Sequence, residues 1–310
     1  MARVLITGGA GFIGSHLTEE LVKRGDQVRV LDNFSTGKLR NLADVKDKIE
    51  LIRGDLRNHA DVQAAVSQVD VVFHQAAFVS VPKSIEDPRD CYEININGTV
   101  ELMEAARQAG VSRVVLASSA AVYGSSTGLP LNESALTRPL SPYAASKLFA
   151  ETLAQLYSAA HNLTVVALRY FNVYGPRQSP SSQYAAAIPK FIHALKTGQA
   201  PLVFGDGTQT RDFIYVSDAV RANLLAAEAA GVAGKAFNIC SGAETSLLDL
   251  LKILYAQFPQ APQPEFSDPR LGDVPRSLGD PSLAARALGF RPEIALAEGL
   301  KRCVSSGSQT

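Results

Sequence analysis

Short runs of aliphatic and β-branched residues alternate, over the first half of the chain, with longer segments in which apolar residues recur every three or four positions. The short runs predict strands and the periodic segments predict helices, for example over residues 12–25 and 92–110. Strands that are almost continuous in Val, Ile and Leu are typical of a parallel sheet covered on both faces. The pattern therefore predicts an α/β fold with a doubly wound parallel sheet. The six predicted strands are residues 3–7, 27–32, 49–55, 69–77, 112–119 and 163–170.

The pattern loosens after about residue 170, where Pro and Gly become common and the periodic segments are shorter. Helical patterns at 246–257 and 281–288 flank a Pro-rich loop at 260–277. We interpret this half as a smaller α/β lobe that closes over the ligand of the sheet domain. The expected boundaries are 1–171 with about 212–240 for the sheet domain, 172–211 with 241–304 for the lobe, and 305–310 for a disordered tail without apolar residues.

Charge and composition exclude several classes of partner and site. Lys+Arg and Asp+Glu both number 30, so the formal net charge is zero. The chain therefore has no excess of basic residues that would indicate binding to nucleic acid or to an anionic membrane surface. No segment approaches the roughly 18 apolar residues of a membrane span, and the N-terminal MARVLITGG is too short for a secretory signal. The 3 cysteines and 5 histidines show no metal-ligand spacing. We expect a soluble, cytoplasmic protein without a metal site.

A glycine-rich turn joins the first predicted strand to the first helix. The segment GGAGFIG (8–14) places Gly8, Gly11 and Gly14 three positions apart. Glycine permits a positive φ, close approach of a pyrophosphate to bare backbone, and close packing of helix on strand. The start of the helix then faces the negative phosphates. The turn therefore predicts a dinucleotide-binding (Rossmann) sheet.

An acidic residue at the end of the second strand bears on which dinucleotide binds. Asp32 lies 18 residues after Gly14, where a carboxylate can accept from both ribose hydroxyls and would repel a 2′-phosphate. NAD is therefore favoured over NADP, although Lys38 and Arg40 nearby leave NADP open. The structural alternative is that Asp32 only begins the turn DNFSTG (32–37).

The next two strand ends also carry candidates for cofactor contact. Asp55, in GDL (54–56), is a candidate acceptor for the adenine amino group. Ala76 and Ala77, in HQAA (74–77), are small enough for their backbone to lie along the cofactor. His74 is interpreted as a structural histidine rather than a catalytic one.

The segment SPYAASK (141–147) holds the clearest catalytic candidate. Tyr143 and Lys147 lie on one helix face, and a nearby positive charge favours a phenolate over a phenol. Ser119 ends the fifth strand at the edge where ligands of open parallel sheets bind, so Ser119 and Tyr143 can face one substrate. The alternative for Tyr143 and Lys147 is an ordinary surface pair. Asn97 is expected to anchor a polar network beneath this site.

Together these motifs resemble those of the extended short-chain dehydrogenase/reductases, in the same order and spacing. Within that family the chain resembles the UDP-galactose 4-epimerases and related nucleotide-sugar epimerases, from residue 3 to about 300. The matching segments are GGAGFIG (8–14), DNFSTG (32–37), GDL (54–56), HQAA (74–77), SSAAVYG (118–124), SPYAASK (141–147) and RYFNVYGPR (169–177).

The resemblance implies an activity and a set of roles. Tyr143 would be the base that takes the sugar 4-OH proton, Lys147 its partner and Ser119 the hydroxyl contact, while NAD accepts hydride from C4 and returns it to the other face of a 4-keto sugar. A homodimer through helices around 90–109 and 143–161 is also implied. The residues implied in NAD binding are Gly8, Gly11, Phe12, Ile13, Gly14, Asp32, Asn33, Ser35, Thr36, Gly37, Asp55, Leu56, Ala76, Ala77, Asn95, Ser118, Tyr143, Lys147 and Tyr170.

The segment 118–124 departs from the family pattern at one position. Many such epimerases carry Ser or Thr where this chain has Ala121, so Ser119 is left as the only hydroxyl there. The related 4,6-dehydratases show an Asp–Glu pair near this strand end, and the decarboxylases usually keep a Glu at the position of Ala121. Because SSAAVYG contains no acid, dehydration and decarboxylation are disfavoured.

The second lobe would bind the UDP-sugar, although isolated loop arginines are more often surface charges. Ser277, in VPRS (274–277), falls where the family's residue size limits the C2 substituent, so a small Ser predicts that UDP-N-acetylhexosamines are accepted beside UDP-hexoses. The implied contacts are Asn172, Arg211 and Arg270 for the diphosphate, Asp273 for the ribose, Leu202 and Phe204 for the uracil, and Ser80 and Lys83 for the hexose.

Two alternatives to a UDP-glucose 4-epimerase stay open. The first is a UDP-glucuronate 4-epimerase or another nucleotide-sugar oxidoreductase of the same scaffold. The second, of another class, is a non-catalytic sensor that binds NAD. A sensor need not keep Ser119, Tyr143 and Lys147 together, which argues against it.

Overall fold

Seven parallel strands form the main sheet of the structure, a computed structural model that describes residues 1–126, 128–180, 186–269 and 274–306. Their spatial order is β10-β6-β5-β4-β1-β2-β3, so the chain starts in the middle and builds outward in both directions. The doubly wound α/β fold is thereby confirmed. The strands are β1 (Arg3–Thr7), β2 (Gln27–Asp32), β3 (Ile49–Arg53), β4 (Val71–His74), β5 (Arg113–Ser119), β6 (Thr164–Tyr170) and β10 (Ala236–Ile239).

Helices cover both faces of this sheet, as the continuous apolar strands predict. Adjacent residues of β1 point to opposite sides, because Leu5 belongs to one buried cluster and Ile6 to another. The cluster around Leu5 includes residues of α2, α5 and α6, and the cluster around Ile6 includes residues of α1, α8 and α10. These helices are α1 (Phe12–Lys23), α2 (His59–Val66), α5 (Gly98–Gln108), α6 (Pro142–Ala160), α8 (Val216–Glu228) and α10 (Ser282–Leu288).

One helix predicted from the sequence is interrupted. Residues 92–110 were expected to be continuous, but α4 (Pro88–Tyr92) passes into a π turn at Glu93–Asn97 before α5 begins. Just before it, α3 (Val81–Glu86) is a short helix capped by Ser80. A π turn inserts one residue into the helix and so changes which side chains face the core.

The remaining elements form two small sheets with their own core. Strand β9 pairs with β7 in parallel and with β11 in antiparallel fashion, and β8 pairs with β12 in parallel. Their core contains Phe191, Leu250 and Leu300, against which Phe12 and Ile13 of α1 also pack. The elements are β7 (Asn172–Tyr174), β8 (Leu202–Phe204), β9 (Thr210–Tyr215), β11 (Glu244–Ser246), β12 (Glu265–Ser267), α7 (Ala187–Lys196), α9 (Leu247–Tyr255) and α11 (Leu296–Ser306).

The C-terminal helix reaches further than the sequence suggests. Because α11 ends at Ser306, Ser305 and Ser306 are helical rather than part of the expected tail, and residues 307–310 lie outside the described residues. Within the described ranges, no helix is both long enough and apolar enough to cross a bilayer.

Candidate active site

The glycine turn between β1 and α1 brings three backbone segments together. Gly8 has φ +69°, and a Cβ there would lie 2.7 Å from the Cα of Ala76, two residues after β4. Gly14 approaches the Gly8 carbonyl so closely that a Cβ would collide with it. Among the described residues, no side chain caps the start of α1 at Gly11, so its first N–H groups are available to an anion. The turn therefore fits the pyrophosphate of a dinucleotide.

Asp32 is buried at the carboxyl end of β2. Its Oδ2 accepts from the Ala10 amide at 2.9 Å and its Oδ1 accepts from the Phe34 amide at 2.8 Å. Burial raises the pKa of this carboxyl group. A carboxylate has about four acceptor positions, so two are left for ribose hydroxyls. A Cβ at Gly37 would lie 2.8 Å from Oδ1, which explains the glycine in this turn.

The Asp55 carboxylate, expected to accept from the adenine amino group, already has four hydrogen bonds. Oδ1 accepts from the Arg57 amide and Nε, both at 2.9 Å. Oδ2 accepts from Arg57 Nη2 and from Asn33 Nδ2, both at 2.8 Å. These bonds, led by the Arg57 side chain, hold the pKa of Asp55 well below its usual range. An adenine amino group would therefore have to share an oxygen that Asn33 or Arg57 already occupies.

The other residues expected at the cofactor divide into buried and exposed positions. Leu56 is buried in the core and packs beside Gly98, so its side chain is part of the fold. Ser35 and Thr36 are exposed, and the Ser35 amide donates to Asn33 Oδ1 at 3.0 Å. Phe12, Ile13, Ala76 and Ala77 are half-buried.

Tyr143 and Lys147 lie on the first turns of α6, opposite the end of β5. Lys147 Nζ donates to the Ala117 carbonyl at 2.8 Å and lies 5.9 Å from the centre of the Tyr143 ring. Burial raises the pKa of Tyr143, and a hydrogen bond with Ser119 lowers it to a smaller extent. Burial also lowers the pKa of Lys147 to about 8. The three predicted catalytic residues are thus brought together, but the net shift of the Tyr143 pKa is opposite to the expected one.

A buried ion pair that the sequence analysis missed supports this site. Arg169 Nη2 and Nε donate to the two carboxylate oxygens of Glu151 at 2.7 and 2.9 Å, and Ser118 Oγ donates to the same carboxylate at 2.5 Å. Arg169 Nη1 also donates to the Tyr123 hydroxyl at 2.8 Å. Because Glu151 follows Lys147 by one helical turn, its spacing was a usable signal. The pair joins β5, β6 and α6 directly behind the predicted catalytic residues.

Asn95, rather than Asn97, anchors the polar network near α6. Asn95 Nδ2 donates to Ser146 Oγ at 2.9 Å, and Ser146 Oγ donates to the Tyr143 carbonyl at 2.7 Å. Asn95 also pairs with both backbone groups of Phe78. Asn97 is exposed and donates to Glu93 instead. The expectation for Asn97 was wrong because the π turn changes the helix register.

Tyr170, at the end of β6, is held by two amide side chains. Asn223 Nδ2 donates to its hydroxyl at 2.7 Å, and Gln75 Nε2 donates at 3.3 Å. Burial raises the pKa of Tyr170 to about 12, so the group stays a neutral phenol.

A cavity of about 240 Å³ in the smaller part of the molecule gathers most of the predicted nucleotide contacts. Asn172, Leu202, Phe204 and Arg211 line it together. Arg211 Nη1 donates to the carbonyls of Thr210 and Val274, both at 2.8 Å. Lining residues that the sequence analysis missed, on α7 and beside β7, include Gln178, Lys190, Phe191 and Phe213.

The remaining predicted sugar contacts lie on loops. The Ser277 amide donates to the Thr210 carbonyl at 3.2 Å, which attaches its loop to β9. Ser80 Oγ caps α3 by accepting from the Lys83 amide at 3.3 Å, and the Lys83 side chain is exposed. Arg270 and Asp273 lie outside the described residues.

A buried carboxylate organises the loops around this cavity. Asp212 Oδ1 accepts from the amide and the hydroxyl of Ser241, at 2.7 and 2.6 Å, and Oδ2 accepts from the amides of Gly242 and Gly279, at 3.0 and 3.2 Å. The Asp212 carbonyl accepts from Asn172 Nδ2 at 2.9 Å. Asp212 thus ties the loops after β10 and before α10 to the strand that carries Arg211.

Comparisons with known proteins agree with this geometry. Residues 4–240 match the NAD dependent epimerase/dehydratase family. The chain is 40% identical over 307 residues to the UDP-glucose 4-epimerase of Mycolicibacterium smegmatis, covering 97% of both chains. It is 37% identical to a UDP-N-acetyl-alpha-D-glucosaminuronate decarboxylase of Bacillus cytotoxicus, covering 97% of this chain and 96% of the other.

A solved structure gives the same overall picture. The UDP-N-acetylglucosamine 4-epimerase from Methanobrevibacter ruminantium M1, in complex with UDP-N-acetylmuramic acid, superposes with a TM-score of 0.96 at 38% identity. The match covers 100% of this chain and 99% of that one. The glycine turn, Asp32 and the matches together identify the chain as an enzyme of the NAD dependent epimerase/dehydratase family, with NAD as its cofactor.

Proposed function

We propose that the protein is an NAD-dependent UDP-sugar 4-epimerase that interconverts UDP-glucose and UDP-galactose through a transient 4-keto sugar. The observation that carries this proposal is the meeting of Ser119, Tyr143 and Lys147 at the carboxyl end of the sheet. The strand-end segment 118–124 has no acidic side chain to serve dehydration or decarboxylation. The UDP-glucose 4-epimerase among the relatives supports the same reaction.

In this proposal Tyr143 moves the proton of the sugar 4-hydroxyl. Bound NAD supplies the acceptor and donor of hydride at C4 of the sugar. The Tyr143 oxygen takes the 4-OH proton in one direction and returns it in the other, while Ser119 holds the 4-oxygen by a hydrogen bond. General acid–base assistance of this kind contributes about 10²–10⁴-fold to a rate.

In this proposal the charge on Lys147 would offset the effect of burial on the pKa of Tyr143. Burial raises the pKa of the phenol, so the base form needs a nearby cation. The Lys147 ammonium, 5.9 Å from the centre of the Tyr143 ring, would provide this cation while one of its N–H groups donates to the Ala117 carbonyl.

The nucleotide-sugar part of the proposal assigns the lobe of residues 172–211 and 241–304 to the UDP moiety. Asn172 and Arg211 would bind the diphosphate together with Arg270, and Asp273 would bind the ribose. The apolar side chains of Leu202 and Phe204 would contact the uracil, with Ser80 and Lys83 near the hexose. The cavity that these lining residues share supports this assignment.

We further propose that the enzyme acts as a homodimer through α5 and α6. Val100, Phe149 and Leu156 leave 36–57% of their surface exposed on these helices, although each is a large apolar side chain. Sedimentation velocity should show a dimer that Leu156→Glu converts to a monomer. A monomeric parent protein would contradict this part of the proposal.

The test of activity uses purified protein without added cofactor, and then with NAD. UDP-galactose, UDP-N-acetylgalactosamine and UDP-glucuronate are incubated separately, and the anomeric protons are followed by NMR to equilibrium. Conversion of UDP-galactose supports the proposal, and conversion of UDP-glucuronate alone favours the glucuronate epimerase. If no UDP-sugar reacts with NAD present, the proposed function is wrong and a non-catalytic NAD-binding protein is favoured.

Ser277 should decide whether N-acetylated sugars fit. We expect Ser277→Tyr to abolish conversion of UDP-N-acetylgalactosamine while conversion of UDP-galactose continues. Ser277→Ala, the matched control, should keep both activities because it adds no bulk. N-acetylhexosamine activity that survives undiminished in Ser277→Tyr would contradict the pocket-size argument.

A further inference from the structure

His74 lies at the end of β4 with its imidazole fully buried between two threonines. Nδ1 is 2.7 Å from Thr7 Oγ1 on β1, and Nε2 is 3.0 Å from Thr99 Oγ1 on α5. The ring therefore bridges the strand that leads into the glycine turn and the helix that follows the π turn.

The neighbours of the two threonines determine which nitrogen of His74 carries the proton. The Thr99 hydroxyl donates to the Asn95 carbonyl at 2.7 Å, and a carbonyl can only accept. Thr99 Oγ1 must then accept from His74, so Nε2 is protonated. The Ala76 amide donates to Thr7 Oγ1 at 3.3 Å, which leaves the Thr7 hydroxyl proton to donate to His74 Nδ1. In this series of hydrogen bonds every donor has one acceptor. That arrangement is possible only if the His74 imidazole is neutral and protonated on Nε2.

The electrostatic surroundings also favour a neutral ring. Burial, followed by the charge of Lys147, lowers the pKa of His74 to about 3. Lys147 is the one charged group among the described residues that acts on His74 in this way. A second proton on Nδ1 would face Thr7 Oγ1 and leave the Thr7 hydroxyl without its acceptor.

Both ends of the hydrogen-bond chain reach the proposed reaction centre. At the Thr7 end, the Ala76 amide belongs to the backbone that packs against Gly8 of the cofactor turn. At the Thr99 end, Asn95 bonds through its side chain to Ser146, and Ser146 bonds to the Tyr143 carbonyl. The chain thus links the cofactor turn to the first turn of α6.

We propose that His74 is a positioning residue for 4-epimerisation, which fixes the cofactor turn relative to Tyr143 through a neutral imidazole protonated on Nε2. This inference rests on the proposed function and adds a residue to it. His74 would act through placement, because both of its ring nitrogens are hydrogen-bonded to threonine hydroxyls. A misplacement of about 1 Å can cost about 10²-fold in rate.

The first test needs no turnover, so it separates this inference from the proposed function. The holoenzyme is labelled with ¹⁵N-histidine, and the His74 signals are identified by their loss in His74→Gln. We expect one protonated-type Nε2 and one unprotonated-type Nδ1 resonance, unchanged between about pH 5 and pH 8, where an ordinary histidine titrates. Titration in this range, or protonation on Nδ1, would overturn the inference.

The second test uses near-isosteric variants of His74 that each keep only one of its two hydrogen bonds, to Thr7 or to Thr99. His74→Asn keeps an acceptor near Nδ1 for Thr7, and His74→Gln keeps a donor near Nε2 for Thr99. We expect His74→Asn to retain NAD while its kcat falls about tenfold with KM unchanged, and His74→Gln to keep kcat at saturating NAD while binding NAD about tenfold more weakly. His193→Gln, on the exposed face of α7, should change neither. Equal losses of kcat and NAD affinity in both His74 variants would show a merely structural role.

Discussion

The end of the main sheet and the loops of the smaller lobe hold their polar residues in different ways. In the buried cluster behind the predicted catalytic residues at the sheet end, side chains hold side chains: Glu151 accepts from Arg169 and from Ser118. In the lobe, backbone groups hold side chains, because Arg211 donates to two carbonyls and Asp212 accepts mainly from amides. Proton transfer depends on the direction of single side-chain atoms, whereas binding of an extended diphosphate depends on the placement of whole loops. Mutations at the sheet end should therefore alter mainly kcat, and mutations in the loops of the lobe should alter mainly KM.

The largest effect should come from removing the phenol oxygen at the sheet end. Tyr143→Phe should lower kcat about 10²–10⁴-fold, because the sugar 4-OH loses its proton acceptor. Affinity for NAD and for UDP-galactose, measured by calorimetry, should stay within a factor of about three. A rise in KM as large as the fall in kcat would contradict the division of roles between the two regions.

Breaking the buried ion pair should destabilise the sheet end as a whole. Arg169→Met leaves the Glu151 carboxylate buried without its cation, and we expect the free energy of unfolding to fall by about 3–5 kcal/mol in urea titrations. The double variant Arg169→Met/Glu151→Leu removes both charges and should recover most of this loss. If the single and double variants were equally unstable, packing rather than charge would explain the effect.

A smaller effect, mainly on KM, should follow from changing Asp212. Asp212→Asn turns an amide group toward N–H donors and loses at least one hydrogen bond, worth about 1–3 kcal/mol for a buried group. We expect KM for UDP-galactose to rise about tenfold with kcat nearly unchanged. Asp206→Asn, at an exposed position near the same loops, is the matched control. A fall in kcat at constant KM would contradict the role of Asp212 in holding the loops of the proposed substrate cavity.

The mildest test varies only pH. The Lys147 pKa is about 8, so its ammonium is charged below that value and loses its proton above it. Because the charge favours the Tyr143 phenolate, kcat should decline above about pH 8, by up to tenfold per pH unit. Circular dichroism over the same range should show a folded protein. A kcat that stays constant to about pH 10 would mean that Lys147 acts without its charge.

The sheet could be predicted from the sequence because its strands are nearly continuous in apolar residues. Six strands begin and end within about three residues of their predicted bounds. Strand β10 was not predicted as a strand, because its sequence AFNI is only four residues long and contains Asn238. Asn238 is buried there and accepts from the Tyr123 hydroxyl, a contact 115 residues away in sequence.

The placement of a candidate residue was predictable where it depends on that residue's own strand or helix. Ser119, Tyr143 and Lys147 follow from a strand end and an i, i+4 spacing. Three features could not be predicted in this way. Arg57 takes up acceptor positions of Asp55, Asn95 anchors the polar network in place of Asn97, and His74 bridges β1 and α5. Each depends on side-chain direction or helix register, which sequence spacing does not determine.

Strand β10 has a consequence for how the protein is made. After β6 ends at Tyr170, the chain leaves the sheet and returns to pair with β6 only at Ala236–Ile239. During synthesis, the outer edge of β6 therefore stays unpaired until residue 239 has emerged from the ribosome. An open strand edge is a template for intermolecular pairing. Nascent or truncated chains that stop between 171 and 235 should consequently be the forms most prone to aggregate.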